Sequence, residues 1–190
     1  YNPDGTNRRE NITDWSLAHF RNHYAQSAIR NKPPSAIEKW DIFHYVYAVL
    51  HHPDYRERYQ ANLKRELPRV PFAPDFWAFA NAGKRLAEIH VHYEEQHEYP
   101  LKMVETPDHP LDWRVEKMRL SKDKTQLRYN DLLTLDGIPS EAFDYRLGNR
   151  SALDWVIDQY QVKTDKRSGI VNDPNRQDDP EYILRLIGQV

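Results

Sequence analysis

Apolar residues recur at steps of three and four through the first hundred residues, then change after Pro100 to short alternating stretches, so the pattern predicts helices followed by strands. A polar arm, YNPDGTNRRE, carries an Asp-Gly turn, and after it Ile12, Trp15, Leu17, Phe20 and Tyr24 stand at roughly helical spacing. Pro33 and Pro34 stop that segment, and Ser35-Ala-Ile-Glu38 has the form of a capping box, in which the serine oxygen takes a backbone N–H and the glutamate reaches back. On the helix it should open, Phe43, Val46, Tyr47 and Leu50 fall on one face. Proline lacks an N–H but fits a first helical turn, so Pro53 ends that helix and opens another on which Tyr55, Tyr59 and Leu63 align, giving a helical hairpin. The link PRVPFAP is expected to be extended, because each residue before a proline is pushed out of the helical region. A third helix, DFWAFANAGKRLAEIHVHYEE, places Phe79, Ala82, Leu86, Ile89 and Tyr93 in register, with Gly83 permitting the close approach of a neighbour.

Beyond Pro100, Val115 to Leu120 and Gln126 to Tyr129 read as strands joined by the turn Ser-Lys-Asp-Lys, and Asp131 to Leu135 reads as a third ending at Asp136-Gly137. AFDYRLG is a further strand candidate. Ser151-Ala-Leu-Asp154 caps a helix bearing Leu153, Val156, Ile157 and Tyr160; a loop from Lys163 to Asp179 follows, and Pro180 opens a last short helix. The expected fold is α+β: a helical scaffold over residues 1–100, comprising the hairpin and the long helix, packed with a small antiparallel sheet and two short C-terminal helices over residues 101–190, either as two parts or as one compact domain. No internal repeat or low-complexity tract interrupts it.

Composition narrows the classes. A chain of 190 residues that is 39% hydrophobic and 12% aromatic can bury a core, and its thirteen prolines imply many turns. It has no apolar run near the length of a membrane span and no secretory pattern, so no membrane partner and a cytoplasmic location are expected. The absence of cysteine fits a reducing compartment and removes thiolate chemistry and thiolate metal sites. The sequons at Asn11 and Asn149 then read as chance matches. Opening on Tyr1 rather than methionine is expected of a fragment of a longer protein.

The motifs for several chemistries are missing. There is no phosphate-binding G-x-x-x-x-G-K-[ST] loop, no G-x-G-x-x-G and no Gly-x-Ser-x-Gly elbow. Asp179-Pro180-Glu181-Tyr182 only approaches the amino-methyltransferase loop, with a glutamate in place of the second proline and a helix entry as context. Pro107-Asp108 followed by Glu116-Lys117 lacks the residue that would place carboxylate and lysine on one face of a nuclease strand. The densest set of possible metal ligands is His90, His92, Glu94, Glu95 and His97; on a helix His90 and Glu94 share a face that His92 does not, which favours a polar helix end over a metal-dependent hydrolase.

Cations are unevenly spread although the net charge is only −2. Arg114, Lys117, Arg119, Lys122, Lys124 and Arg128 face two carboxylates, Glu116 and Asp123, across the predicted strands and turn, a local net of +4. Arg146, Arg150, Lys163, Lys166 and Arg167 gather around the capped helix. Such patches suit DNA phosphates and base edges, and lysine-protected strand edges have the same composition; the residues alone leave both readings open.

The stretch from WDIFHYVYAVLHHPDYRERY through RVPFAPDFWAFANAGKRLAEIHVHYE resembles the characteristic segment in the C-terminal part of Type ISP restriction-modification enzymes, a DNA helicase and methylase family of bacterial defence. YNPDGTNRRENITDWSLAHF before it and AFDYRLGNRSALDWVIDQYQVKTDKRSGIVNDP after it extend the resemblance over nearly the whole chain, although NKPPSA before Ile37 is longer than the family pattern. The resemblance implies a non-catalytic target-recognition (specificity) domain that binds double-stranded DNA through the eleven cations named above. It further implies, in the same polypeptide, a nuclease, an ATP-driven translocase and an adenine-N6 methyltransferase against which the helical scaffold packs. No cofactor is then expected in this chain, with S-adenosylmethionine, ATP and Mg serving the upstream domains, and the fragment is expected to be monomeric. The alternative class is a protein-protein coupling module that never touches bases.

Overall fold

The computed structural model describes residues 10–25 and 33–190; residues 1–9 of the N-terminal arm, with its Asp-Gly turn, and Asn31 and Lys32 of NKPPSA, lie outside the described residues. The fold is α+β, and the chain divides into two compact units, Tyr1–His92 and Tyr93–Val190. Among the described residues no helix is long and apolar enough to cross a membrane.

The first unit is helical: α1 (Asp14–Ala25), α2 (Lys39–His51), α3 (Pro53–Arg58), α4 (Gln60–Leu63) and α5 (Phe76–Val91). Pro53 ends α2 and opens α3 as its chemistry requires, but the second arm of the hairpin breaks at Tyr59 into two short helices. The capping box sits three residues later than the sequence suggests. Ser35 lies in a single 3-10 turn (Pro34–Ala36), and Glu38 caps α2, its N–H donating to the Asp41 carboxylate at 2.8 Å.

The buried faces of both long helices are also rotated from the expected ones. On α2 the core residues are Ile42, Tyr45 and Val49, while Phe43 is 42% exposed. On α5 they are Phe76, Trp77, Ala80 and Gly83, while Ile89 is exposed and Tyr93 lies beyond the helix end. Two causes act together. A Cβ built on Gly83 would lie 1.8 Å from the His44 carbonyl oxygen and 3.1 Å from the Ala48 side chain, so α5 presents its glycine to α2. Tyr45 turns inward because its hydroxyl finds two backbone partners, donating to Pro71 O at 2.7 Å and accepting from Ala73 N–H at 2.6 Å. Tyr24 donates to Ala73 O and Tyr55 to Arg69 O, both at 2.8 Å. Three tyrosines from three helices thus satisfy the backbone of the extended, proline-rich link, which has no strand to pair with.

The second unit centres on a four-stranded antiparallel sheet of order β1-β4-β3-β2, with β1 (Lys102–Glu105), β2 (Arg119–Leu120), β3 (Gln126–Arg128) and β4 (Leu133–Asp136). Strand β1 went unseen in the sequence, since all four of its residues are exposed and it shows no apolar alternation. Leu127, Leu133 and Leu135 point into a core closed by Val115, Met118, Tyr129 and Ile138, by Leu153 and Val156 of α6 (Ala152–Gln159), and by Ile183, Leu186 and Ile187 of α7 (Tyr182–Gln189). The capping box of α6 forms as the sequence indicates: Ser151 Oγ accepts the Asp154 N–H at 3.1 Å and the Asp154 carboxylate accepts the Ser151 N–H at 3.0 Å. Of the predicted AFDYRLG strand, Ala142 and Phe143 end a 3-10 turn (Ser140–Phe143), and only β5 (Arg146–Leu147) pairs, with β6 (Arg150–Ser151). Within the supposed loop after α6, β7 (Lys163–Thr164) pairs with β8 (Val171–Asn172).

Candidate nucleic-acid interface

The predicted strand Val115–Leu120 shrinks to Arg119–Leu120 because a side chain takes the place of a neighbouring strand. Asn175 accepts the Val115 N–H through Oδ1 at 2.8 Å and donates to Val115 O through Nδ2 at 2.9 Å. Val162 N–H donates to Glu116 O at 3.2 Å, so both ends of the β7–β8 segment are fastened to one short stretch. Asn130 does similar work on the other side: Nδ2 donates to the carbonyls of Asp112 (2.6 Å) and Arg114 (3.0 Å), and Oδ1 accepts the N–H groups of Leu132 and Leu133. That cap delays β4 to Leu133. These two asparagines went unrecognised in the sequence, since nothing local distinguishes a side-chain amide that mimics backbone.

On this frame Asp112, Arg114, Glu116, Lys117, Arg119, Arg128, Asn130 and Asp131 line an open cleft of about 480 Å³. Four of the eleven predicted cations therefore come together. They are not equivalent. Arg114 is gripped by Asp173 at 2.8 Å and Glu116 at 2.7 Å, and Arg128 by Asp131 at 2.6 Å. The Asp173 carboxyl is held below its ordinary range by hydrogen bonds from Asn175 and then from Arg114. Lys117 and Arg119 are exposed and have no carboxylate partner among the described residues.

Strand register fixes what shares the open sheet face. Leu120 opposes Leu127 and Leu127 opposes Leu135 on the core side; on the other side Arg119 opposes Arg128, Arg128 opposes Thr134, and Gln126 opposes Asp136. Gln126 was not among the expected contacts, although the two-residue period from Arg128 places it there.

The turn that joins β2 to β3 is built as its composition predicts. Ser121 and Asp123 hydrogen-bond each other at 2.6 Å, and Lys124 adopts a left-handed φ of 61°. The Ser121 hydroxyl and then the Thr125 N–H hold the Asp123 carboxyl below its usual range. Its two lysines diverge: the Lys124 ammonium lies 4.5 Å from the Phe143 ring centroid, while Lys122 is exposed with no partner among the described residues. Asp158 binds both Arg150 (3.0 Å) and Lys163 (3.3 Å), and Arg146 donates to the Asn149 carbonyl. Lys166 and Arg167 are exposed at the tip of the β7–β8 hairpin, whose turn is folded around the Asp165 carboxylate.

Other candidate chemistry is absorbed by structure. Asp179 of Asp-Pro-Glu-Tyr is ion-paired with Arg185. His90 Nδ1 lies 2.6 Å from the Tyr47 hydroxyl, and burial, then the proximity of His51, lowers its pKa. Among the described residues no group of three or more His, Asp or Glu side chains is arranged to hold a metal ion.

An open sheet face bearing arginines, with lysines at the tips of two hairpins, is the equipment of a binding surface for an anionic, acceptor-rich partner. The chain belongs to the Type ISP C-terminal specificity domain family, whose model matches residues 1–186. It is similar to a nuclease-deletion mutant of the Type ISP restriction-modification enzyme LlaGI, solved in complex with a DNA substrate mimic, at 40% identity and TM-score 0.71, covering 80% of this chain and 12% of that one. It is similar to the ATP-dependent Type ISP restriction-modification enzyme LlaBIII bound to DNA at 34% identity and TM-score 0.73, over 88% of this chain and 11% of that one. The DrdV–DNA complex solved by cryoEM matches at 37% identity and TM-score 0.76, over 94% of this chain and 18% of that one. The chain thus spans less than a fifth of the length of each of these proteins. No curated protein sequence matches it.

Proposed function

We propose that this chain recognises the DNA target of a Type ISP restriction-modification enzyme. The open face of β2 and β3, the adjoining cleft and the β7–β8 hairpin form its DNA-contacting surface. The observation that carries the reading is the placement of Arg119 and Gln126 on the solvent face of the β2–β3 edge of the four-stranded sheet, with Lys122 at the turn between them. The hairpin turn and the exposed sheet edge can approach a groove, where arginine and glutamine reach base edges while lysines meet phosphate. The family membership and the DNA-bound state of the three similar proteins support it.

On this reading the chain is non-catalytic and monomeric as a unit, cytoplasmic, and binds no cofactor. Adenine-N6 methylation, ATP-driven translocation and cleavage belong to other domains of a longer polypeptide, with S-adenosylmethionine, ATP and Mg bound there. The helical unit is framework, with the methyltransferase domain of the same polypeptide as its partner.

The test is duplex-DNA binding by the complete protein across about 50 to 200 mM salt, where each phosphate contact contributes close to one unit of log–log slope. Replacing Lys117, Lys122, Lys166 and Arg167 together by alanine should weaken binding to all duplexes and flatten the slope by several units. A variant that keeps native affinity, slope and modified sequence would overturn the reading in favour of a coupling module.

A further inference from the structure

We infer that Arg119 reads a guanine in the target sequence, and that its cross-strand neighbour Arg128 does not read a base. This rests on the assignment of the chain to DNA-target recognition. The geometry behind it is a like-charge pair: Arg119 and Arg128 occupy directly opposed positions of the antiparallel β2–β3 ladder, on the solvent face. Like charges placed so are destabilising, and although a cation on the edge strand β2 also guards it against pairing, that role does not call for an arginine opposite an arginine. The two are neutralised unequally. Arg128 is ion-paired with Asp131 at 2.6 Å, three residues along its own chain. Arg114, on the far side of the cleft, has two carboxylates. Arg119 alone among the three arginines of the cleft has no carboxylate partner among the described residues. A guanidinium held on the sheet beside a second arginine, exposed and without a carboxylate, is available to an external acceptor pair.

Two acceptor sources on DNA could do so, a phosphate or the O6/N7 edge of guanine. Position favours the base. The residue lies within the outer strand on the open sheet face, whereas phosphate-seeking Lys122 sits at the turn. An exposed side chain near the sheet edge can reach a base edge in the major groove, and the commonest specific contact there is arginine bidentate to guanine O6 and N7. Lysine cannot reproduce that fork, so the site should distinguish the two cations.

The experiment is selection of bound sequences from a randomised duplex library by the complete protein and by its Arg119→Ala, Arg119→Lys and Arg128→Ala variants, with affinity measured against salt for the selected duplex. The native protein should yield a motif containing a G·C pair at which Arg119→Ala, and to a lesser degree Arg119→Lys, abolishes a roughly tenfold to hundredfold preference. Other positions and the salt slope should stay unchanged, and Arg128→Ala should keep the whole motif. Thermal melting of each variant confirms that the exposed substitution leaves the fold intact. An unchanged motif with uniform weakening, a slope lower by about one and recovery in Arg119→Lys would make Arg119 a phosphate contact and overturn the inference while leaving the DNA reading intact. Loss of base preference in Arg128→Ala rather than in Arg119→Ala would also overturn it. A native protein that selects no motif at all would remove the DNA-target reading itself.

Discussion

The backbone carbonyl of His44 occupies the place a side chain on Gly83 would need, 1.8 Å from an ideal Cβ. Because the obstacle is backbone, no rotamer change relieves it, and α2 and α5 must separate to admit even a methyl group. Gly83→Ala should therefore cost about 1–3 kcal/mol by overpacking, despite alanine's higher helix propensity. Urea denaturation of the two proteins checks this; an unchanged midpoint would mean that the helices part freely.

Tyr45 is fully buried, and its hydroxyl serves both a carbonyl and an N–H of the proline-rich link. Tyr45→Phe should destabilise by about 1–3 kcal/mol, since it strands two backbone groups. The same change at Tyr55, whose hydroxyl serves a single carbonyl, should cost less. Ranking the two variants in one melting series tests the count of partners; equal losses would contradict it.

Asn175→Ala should remove the bridge to the fully buried Val115 backbone and cost about 1–3 kcal/mol. Limited trypsin digestion gives an independent readout. Cleavage after Lys163, Lys166 and Arg167 should accelerate in Asn175→Ala, and also in Arg114→Ala, which frees Asp173. Native digestion rates in both variants would show the hairpin to be held elsewhere.

The α6 cap predicts a pH dependence. Burial alone would raise the Asp154 carboxyl, but the backbone N–H and hydroxyl of Ser151 outweigh it and hold the group below the ordinary aspartate range. A depressed folded value contributes stability that is fully present above the unfolded value of about 3.9 and is lost as pH falls through the folded one. The stability gap between the native protein and Asp154→Asn should be constant from neutral pH to about pH 5 and close below it. A gap independent of pH would exclude the charged cap.

The two lysines of the β2–β3 turn should separate in DNA binding. Lys122→Ala should weaken all duplexes alike and lower the salt slope by about one unit, whereas Lys124→Ala should have the smaller effect, its ammonium being engaged on Phe143. Equal slopes for the two variants would argue against that distinction.

Punctuation was more legible in the sequence than faces. Pro53, the Ser151–Asp154 cap and the Ser121–Lys124 turn act through short-range chemistry that a few residues encode, and the structure contains each of them. The buried side of α2 was misread because tyrosine hides its ring when its hydroxyl finds backbone partners, which lie some thirty residues away in the link, and that of α5 because Gly83 turns toward α2. Strand β1 was invisible for the opposite reason, having no residue in the core. At the candidate interface the cations were visible, but their availability was not: Arg114 depends on Asp173, and Arg128 on an aspartate that the sequence alone gave no reason to pair with it.

The fastening of Val162 to Glu116 and of Asn175 to Val115 means that the intervening residues leave the body of the domain and return to it at adjacent points. Everything between them is exposed apart from a partly covered Pro174. Doubling the length of such a loop costs only about 0.6 kcal/mol in closure entropy. The segment is therefore built as a cassette: its length can change at little cost while the asparagine and the sheet that anchor it go on folding unchanged.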